Sequence, residues 1–158
     1  MALVIDATVG GASSNSLVTV AEMTTYCEGR LNASVWTAAT AQEPALVEAT
    51  RELCALAWCG LTVSESQALA WPRQWVQNPD SPAWNYYSTT EIPTRVKNAA
   101  CELALQFLKA GTTDIAAASP TEGVIEKTVD VLTTRWADPR ALTKGIHRFP
   151  SVYRYINP

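Results

Sequence analysis

The most regular hydrophobic pattern in the chain lies between residues 93 and 111. Val96, Ala99, Ala100, Leu103, Ala104, Phe107 and Leu108 recur at i, i+3, i+4, i+7, i+8, i+11 and i+12, one continuous stripe on a helix of 3.6 residues per turn. Pro93 suits the first helical position, and Lys109-Ala110-Gly111 supplies a cationic last turn and a glycine stop. An earlier helix starts at Thr19-Val20-Ala21-Glu22, a capping box. Met23, Tyr26, Cys27, Arg30 and Leu31 share one side of it, and Asn32 marks its stop. Between them, Thr40-Ala41-Gln42-Glu43 has the spacing of a second capping box, with Pro44 in the first turn. Leu46, Ala49, Leu53, Leu56 and Ala57 form one face, and Val47, Cys54, Trp58 and Leu61 a second. A helix apolar on two faces is central, and Gly60 is its predicted end.

The rest of the chain changes character. Residues 2–5 read as a short strand or extended arm, and 10–16 as a loop without the Lys-Ser/Thr pair of a phosphate cradle. Residues 61–92 hold Pro72, Pro79 and Pro82 among Trp71, Trp75, Trp84, Tyr86 and Tyr87. Ser64–Ala70 is compatible with a short helix. Five aromatics oppose disorder. They leave two readings open: a functional surface, or rings that cap the core under a long loop. Within Trp71-Pro72-Arg73 the favoured reading is structural, with tryptophan plugging the core and arginine capping a helix C-terminus. Residues 112–122 are small and polar, a linker. In 124–136, Ile125, Val129 and Val131 alternate with Glu126, Thr128 and Asp130, which predicts a strand or hairpin. The expected fold is mainly α: a small helical bundle of three main helices, a β element near 124–136 and an extended C-terminal tail. The expected division is a helical domain over 1–137 and a docking tail over 138–158.

Composition narrows the chemistry. At 158 residues the chain is one domain's worth, and no apolar run approaches the ~20 residues that cross a bilayer. A net charge of −3 argues against bulk electrostatic binding to nucleic acid. The start, Met1-Ala2-Leu3-Val4-Ile5-Asp6, lacks a secretory pattern, so a reducing cytoplasm is expected. Cys27, Cys54, Cys59 and Cys101 sit in apolar runs and read as buried reduced thiols. His147 is the single histidine, which excludes a multi-histidine metal site. No nucleophile elbow, zinc motif or carboxylate pair stands out, and neither enzyme activity nor a cofactor or metal is expected. Charge is split, however: −6 over residues 1–91 and +3 over 92–158. Arg140, Lys144, Arg148 and Arg154 close the chain without an acid. An acidic body with a basic tail suits head-to-tail contact between subunits, or an acidic partner.

Three blocks in order carry a family resemblance. They are Ser14-Asn15-Ser16-Leu17-Val18-Thr19-Val20-Ala21-Glu22, Ala68-Leu69-Ala70-Trp71-Pro72-Arg73, and Ile92-Pro93-Thr94-Arg95-Val96-Lys97-Asn98-Ala99-Ala100-Cys101-Glu102-Leu103-Ala104-Leu105. Together the chain, over roughly residues 1–135, resembles the head-to-tail adaptor (connector) proteins of tailed bacteriophages, which often carry the label DnaT-like single-stranded-DNA-binding protein. The resemblance implies a virion protein of the neck, assembled in the host cytoplasm as a ring, dodecameric in the family. That ring binds beneath the portal protein, receives a tail or nozzle protein, and lets double-stranded DNA pass without specific binding. Two departures stand out: Leu17 occupies a position that is more often aromatic, and the basic stretch from Asp138 on has no match. A cyclic ring needs two different faces per subunit, each standard interface burying about 800 Å² per partner. Trp71, Arg73, Trp75, Trp84, Tyr86 and Tyr87 are the candidates for those faces. Arg148, Phe149, Tyr153, Arg154 and Tyr155 are the candidates for docking on the portal. The alternative is a single-stranded-DNA-binding replication accessory protein, which pairs a basic groove with stacking aromatics. Against it, the stretch from Trp71 to Tyr87 has Arg73 as its one cation.

Overall fold

Helix α4 (Thr94–Ala110) organises the fold. In the computed structural model, residues 3–31, 33–82 and 85–111 are described in full, and 126–129 and 132–135 by their backbone. Pro93 caps α4 from one position before the predicted one. Gly111 ends the helix in the left-handed conformation, φ 67°, and its N–H bonds Phe107 O, which is the glycine stop expected there. Val96, Ala99, Ala100, Leu103, Ala104 and Phe107 are buried, and Leu108 is partly so. Cys101, Glu102 and Leu105 are buried as well. The helix covered on more than one side is therefore α4. The sequence pattern pointed instead to the helix before it.

That earlier helix, α3 (Gln42–Cys54), lies along α4 in the most extensive helix contact of the fold. Ala45, Leu46, Val47, Ala49, Thr50 and Leu53 are buried. Ala49 on α3 and Ala99, Ala100 and Ala104 on α4 expose nothing, small buried side chains that suit a close helix contact. Both predicted ends of α3 need correction. The N-cap is Ala41, with no side-chain cap; Gln42 Nε2 instead donates to Trp36 O at 2.9 Å. The helix stops at Cys54 rather than Gly60, because Trp58 Nε1 takes Leu53 O at 2.7 Å and the chain turns away. Leu61, assigned to the second face, is 56% exposed.

Helix α1 (Val20–Glu28) begins with the predicted capping box: Thr19 Oγ1 accepts from Glu22 N–H, and Glu22 Oε2 accepts from Thr19 N–H. It ends earlier than predicted, at Gly29, which leaves Leu31 off the helix and fully exposed. A short helix that the pattern did not indicate, α2 (Ala33–Thr37), buries Trp36, whose Nε1 donates to Thr24 Oγ1 at 3.0 Å. Leu17 and Val18 enter the same core as Met23, Cys27, Trp36, Leu46 and Leu103. The Leu17 N–H donates to the buried Thr50 Oγ1 at 3.1 Å. Polar contacts then fix α1 on α4. Buried Glu102 accepts from Tyr26 Oη at 2.7 Å and pairs with Arg30, whose guanidinium lies over the Tyr26 ring at 4.1 Å. Lys97 pairs with Glu22 at 2.5 Å.

The β structure is small. Strands β1 (Leu61–Thr62) and β2 (Arg73–Gln74) are antiparallel, with Leu61 opposite Gln74. Strands β3 (Glu126–Val129) and β4 (Leu132–Arg135) make an antiparallel hairpin where one was predicted, with Glu126 opposite Arg135. The N-terminal stretch is an arm rather than a strand, tied down by Asn15, which accepts from Asp6 N–H and donates to Val4 O. Ser64–Ala70 is irregular, not helical. Gln67 accounts for this, accepting from the N–H groups of Val63 and Ser64 and donating to Leu69 O and Pro72 O. Those side-chain bonds replace helical ones. The linker at 112–122 and the tail from 138 lie outside the described residues.

Two measurements check this packing. Leu103→Ala should lower unfolding free energy by about 2–5 kcal/mol in urea denaturation. Glu22 tests the α1–α4 ion pair. Burial raises its pKa, but the Lys97 ammonium and the Thr19 N–H outweigh burial and hold it below the ordinary 4.5. A carboxyl with a depressed folded pKa stabilises above its unfolded pKa and loses that contribution as pH falls through the folded value. Glu22→Gln should therefore melt below the parent protein at pH 7, and the difference should close as pH drops below 4.5.

Candidate functional site

The aromatic stretch forms a ribbon packed on the end of α3 and on α4. Strand β2 ends at Gln74, and after Trp75 the chain pairs again in antiparallel fashion. Tyr87 N–H bonds Val76 O at 2.9 Å, Asn78 N–H bonds Asn85 O at 2.8 Å, and Gln77 lies opposite Tyr86. Side chains alternate across such a ribbon. Val76 and Tyr87, one opposite pair, turn inward and pack on the core. Gln77 and Tyr86, the next pair, turn outward, and Tyr86 is 61% exposed. Trp75 also faces out, 61% exposed, with φ at +60°. A bulky residue at that φ is held in a strained conformation, a feature that concentrates at functional positions.

The inner side is an aromatic stack. Trp71, 2% exposed, meets Trp58 edge-on at 5.5 Å and Tyr87 edge-on at 6.1 Å. The Trp71–Pro72 bond is cis. Trp71 therefore plugs the core, as its structural reading expects, and its ring is not offered to a partner. Arg73 is engaged too. Its guanidinium donates to Cys59 O at 2.7 Å, Gly60 O at 2.6 Å, Ala70 O at 3.2 Å and Trp58 O at 3.3 Å. It caps carbonyls, but those of the turn beyond α3 rather than of a helix end. Gly60 is required at that turn: its φ is +71°, and an added Cβ would stand 2.3 Å from Gln74 O. Of the six interface candidates, Trp71, Arg73 and Tyr87 thus build the ribbon, Trp75 and Tyr86 lie on its outer surface, and Trp84 lies outside the described residues. So do Arg148, Phe149, Tyr153, Arg154, Tyr155 and His147.

Arg95, beside the ribbon, is paired in place. Asp80 holds Arg95 through Nε at 2.6 Å and a terminal nitrogen at 2.5 Å, pinning the turn after Asn78 to α4. That hydrogen bond from Arg95, opposed by slight desolvation, lowers the Asp80 pKa. Arg30, Arg51 and Lys97 are in ion pairs as well. With Arg73 on its carbonyls, Lys109 is the one cation without such a partner among residues 3–31, 33–82 and 85–111.

The thiols offer no nucleophile in the interior. Burial pushes Cys101 up to about 12 and raises Cys27 and Cys54. Two thiols correct the expectation of four buried ones in helical runs: Cys54 is half-buried, and Cys59 is exposed and lies beyond α3. Among the described residues no three His, Cys, Asp or Glu side chains gather as metal ligands, and no helix is long and apolar enough to cross a membrane.

The whole chain, residues 1–158, matches the family described as "Putative DnaT-like ssDNA binding protein", and the protein belongs to that family. No curated protein and no solved structure matches it.

Arg73 gives the direct test of how the ribbon is held. Arg73→Ala leaves several partly buried carbonyls without their donor and should cost about 1–3 kcal/mol. Tryptophan emission should shift to the red as the Trp58–Trp71 stack loosens, which fluorescence-monitored urea unfolding reads directly.

Proposed function

We propose that the protein is a structural subunit of a bacteriophage neck, a head-to-tail adaptor that assembles as a ring beneath the portal and extends the DNA channel toward the tail. The observation that carries this reading is the outer face of the ribbon. Trp75 and Tyr86 are large, exposed and displayed on a braced scaffold, and the ribbon's cations are already engaged, Arg73 by carbonyls and Arg95 by Asp80. Exposed aromatics without free cations suit contact between proteins, where aromatic anchors dominate. They suit phosphate poorly, because nucleic-acid affinity rests on lysine and arginine. The acidic charge of residues 1–91 also fits a channel wall that lets duplex DNA slide. The three sequence blocks supply the specific role, and the ring and portal partners follow from it.

A second reading has one observation in its favour. The family's description names single-stranded DNA, and Trp75 and Tyr86 present faces on which bases can stack. The two readings separate in one pair of measurements. In the adaptor reading, oligonucleotide titrations followed by tryptophan fluorescence at low and high salt show no tight, salt-sensitive binding. Trp75→Ala and Tyr86→Ala then weaken self-association in sedimentation while changing stability by less than about 0.5 kcal/mol. Tight binding that collapses with salt and is lost in Trp75→Ala overturns the adaptor reading.

A further inference from the structure

A second surface lies away from the ribbon, where the start of α3 meets the end of α4. Ala38, Ala41, Ala45, Phe107 and Leu108 line an open groove of about 380 Å³, with Glu48 at its edge. Its walls are small and apolar, and nothing in the described chain fills it. Its rim carries Glu48, which pairs with the exposed Arg51, and Glu52 stands one turn further along the same side of α3. The chain carries a segment of the opposite character. Residues 139–158 contain Arg140, Lys144, Arg148 and Arg154, no acid, and Phe149, Tyr153 and Tyr155. Extended, 20 residues reach about 65 Å, several times the ~15 Å radius of gyration of a chain this size. The segment is thus long enough to leave its own body.

We infer that this groove receives the Arg148–Tyr155 segment of a second copy of the chain, an aromatic ring entering between the helices and the arginines facing Glu48 and Glu52. This rests on the ring reading and deepens it. A groove on one subunit and a tail on the next are two different surfaces, which is what closes a cyclic, head-to-tail assembly. The tail's first partner is then the neighbouring subunit rather than the portal.

The test uses full-length chains in a Cys59→Ser background. One carries Ala41→Cys in the groove, the other Phe149→Cys in the tail, and the two are mixed and oxidised. The expected result is a disulfide between the two different chains, lost when Ala38→Trp fills the groove or when Glu48→Gln and Glu52→Gln remove the acidic rim. A chain carrying both Ala41→Cys and Phe149→Cys that closes only on itself overturns the inference. So does the absence of any cross-link while rings still form on a portal, a result that leaves the ring reading intact. Monomers both alone and with a portal overturn the two together.

Discussion

The close approach of α3 and α4 is the constraint on which the remaining structure depends. Ala49, Ala99, Ala100 and Ala104 expose nothing, and a larger side chain at any of them would overpack the core. Because α4 is covered on several sides, everything else is placed relative to it. Helix α1 reaches it through Glu102 and Lys97, Trp36 of α2 closes the core beside them, and Arg95 holds the turn of the ribbon. Buried Glu102 needs Tyr26 and Arg30, since an uncompensated carboxylate there would be costly. The ion cluster therefore fixes how α1 sits more than it adds to stability.

The ribbon sorts its aromatics by the same logic. Trp58, Trp71 and Tyr87 pack edge-to-face under it, and Arg73 ties the turn beyond α3 to the strand. With those positions fixed, Trp75 and Tyr86 stand outside on a rigid support. Among the described residues that surface is aromatic and braced, with Arg73 and Arg95 already engaged, and this is the link between the fold and the proposed ring.

Much of the helical framework was legible in the sequence because local chemistry decided it. The stripe and glycine stop of α4 and the capping box of α1 are short-range signals, and both elements formed where they point. The hairpin at 126–135 followed from alternation of β-branched residues. The signals failed where side chains from elsewhere took over. The Thr40–Glu43 spacing imitates a capping box, yet Gln42 turns back to Trp36, and α3 ends early because Trp58 captures Leu53 O. Helix α2 has one anchor, Trp36, in a stretch too short to show a period. The outward and inward aromatics of the ribbon were not separable in advance, since the positive φ of Trp75 breaks the alternation that would have sorted them. The apolar pair Val76 and Tyr87 was the available clue to the inner face. The groove joins residues about 65 positions apart, a distance that no local pattern spans.

A chain that builds a ring under a portal should be seen doing so. Electron microscopy of the purified full-length protein, alone and mixed with its cognate portal ring, tests it most directly. Closed rings of many subunits, stacked coaxially on the portal with an open central channel, are the expected result. Particles that remain single copies in the presence of the portal would contradict it.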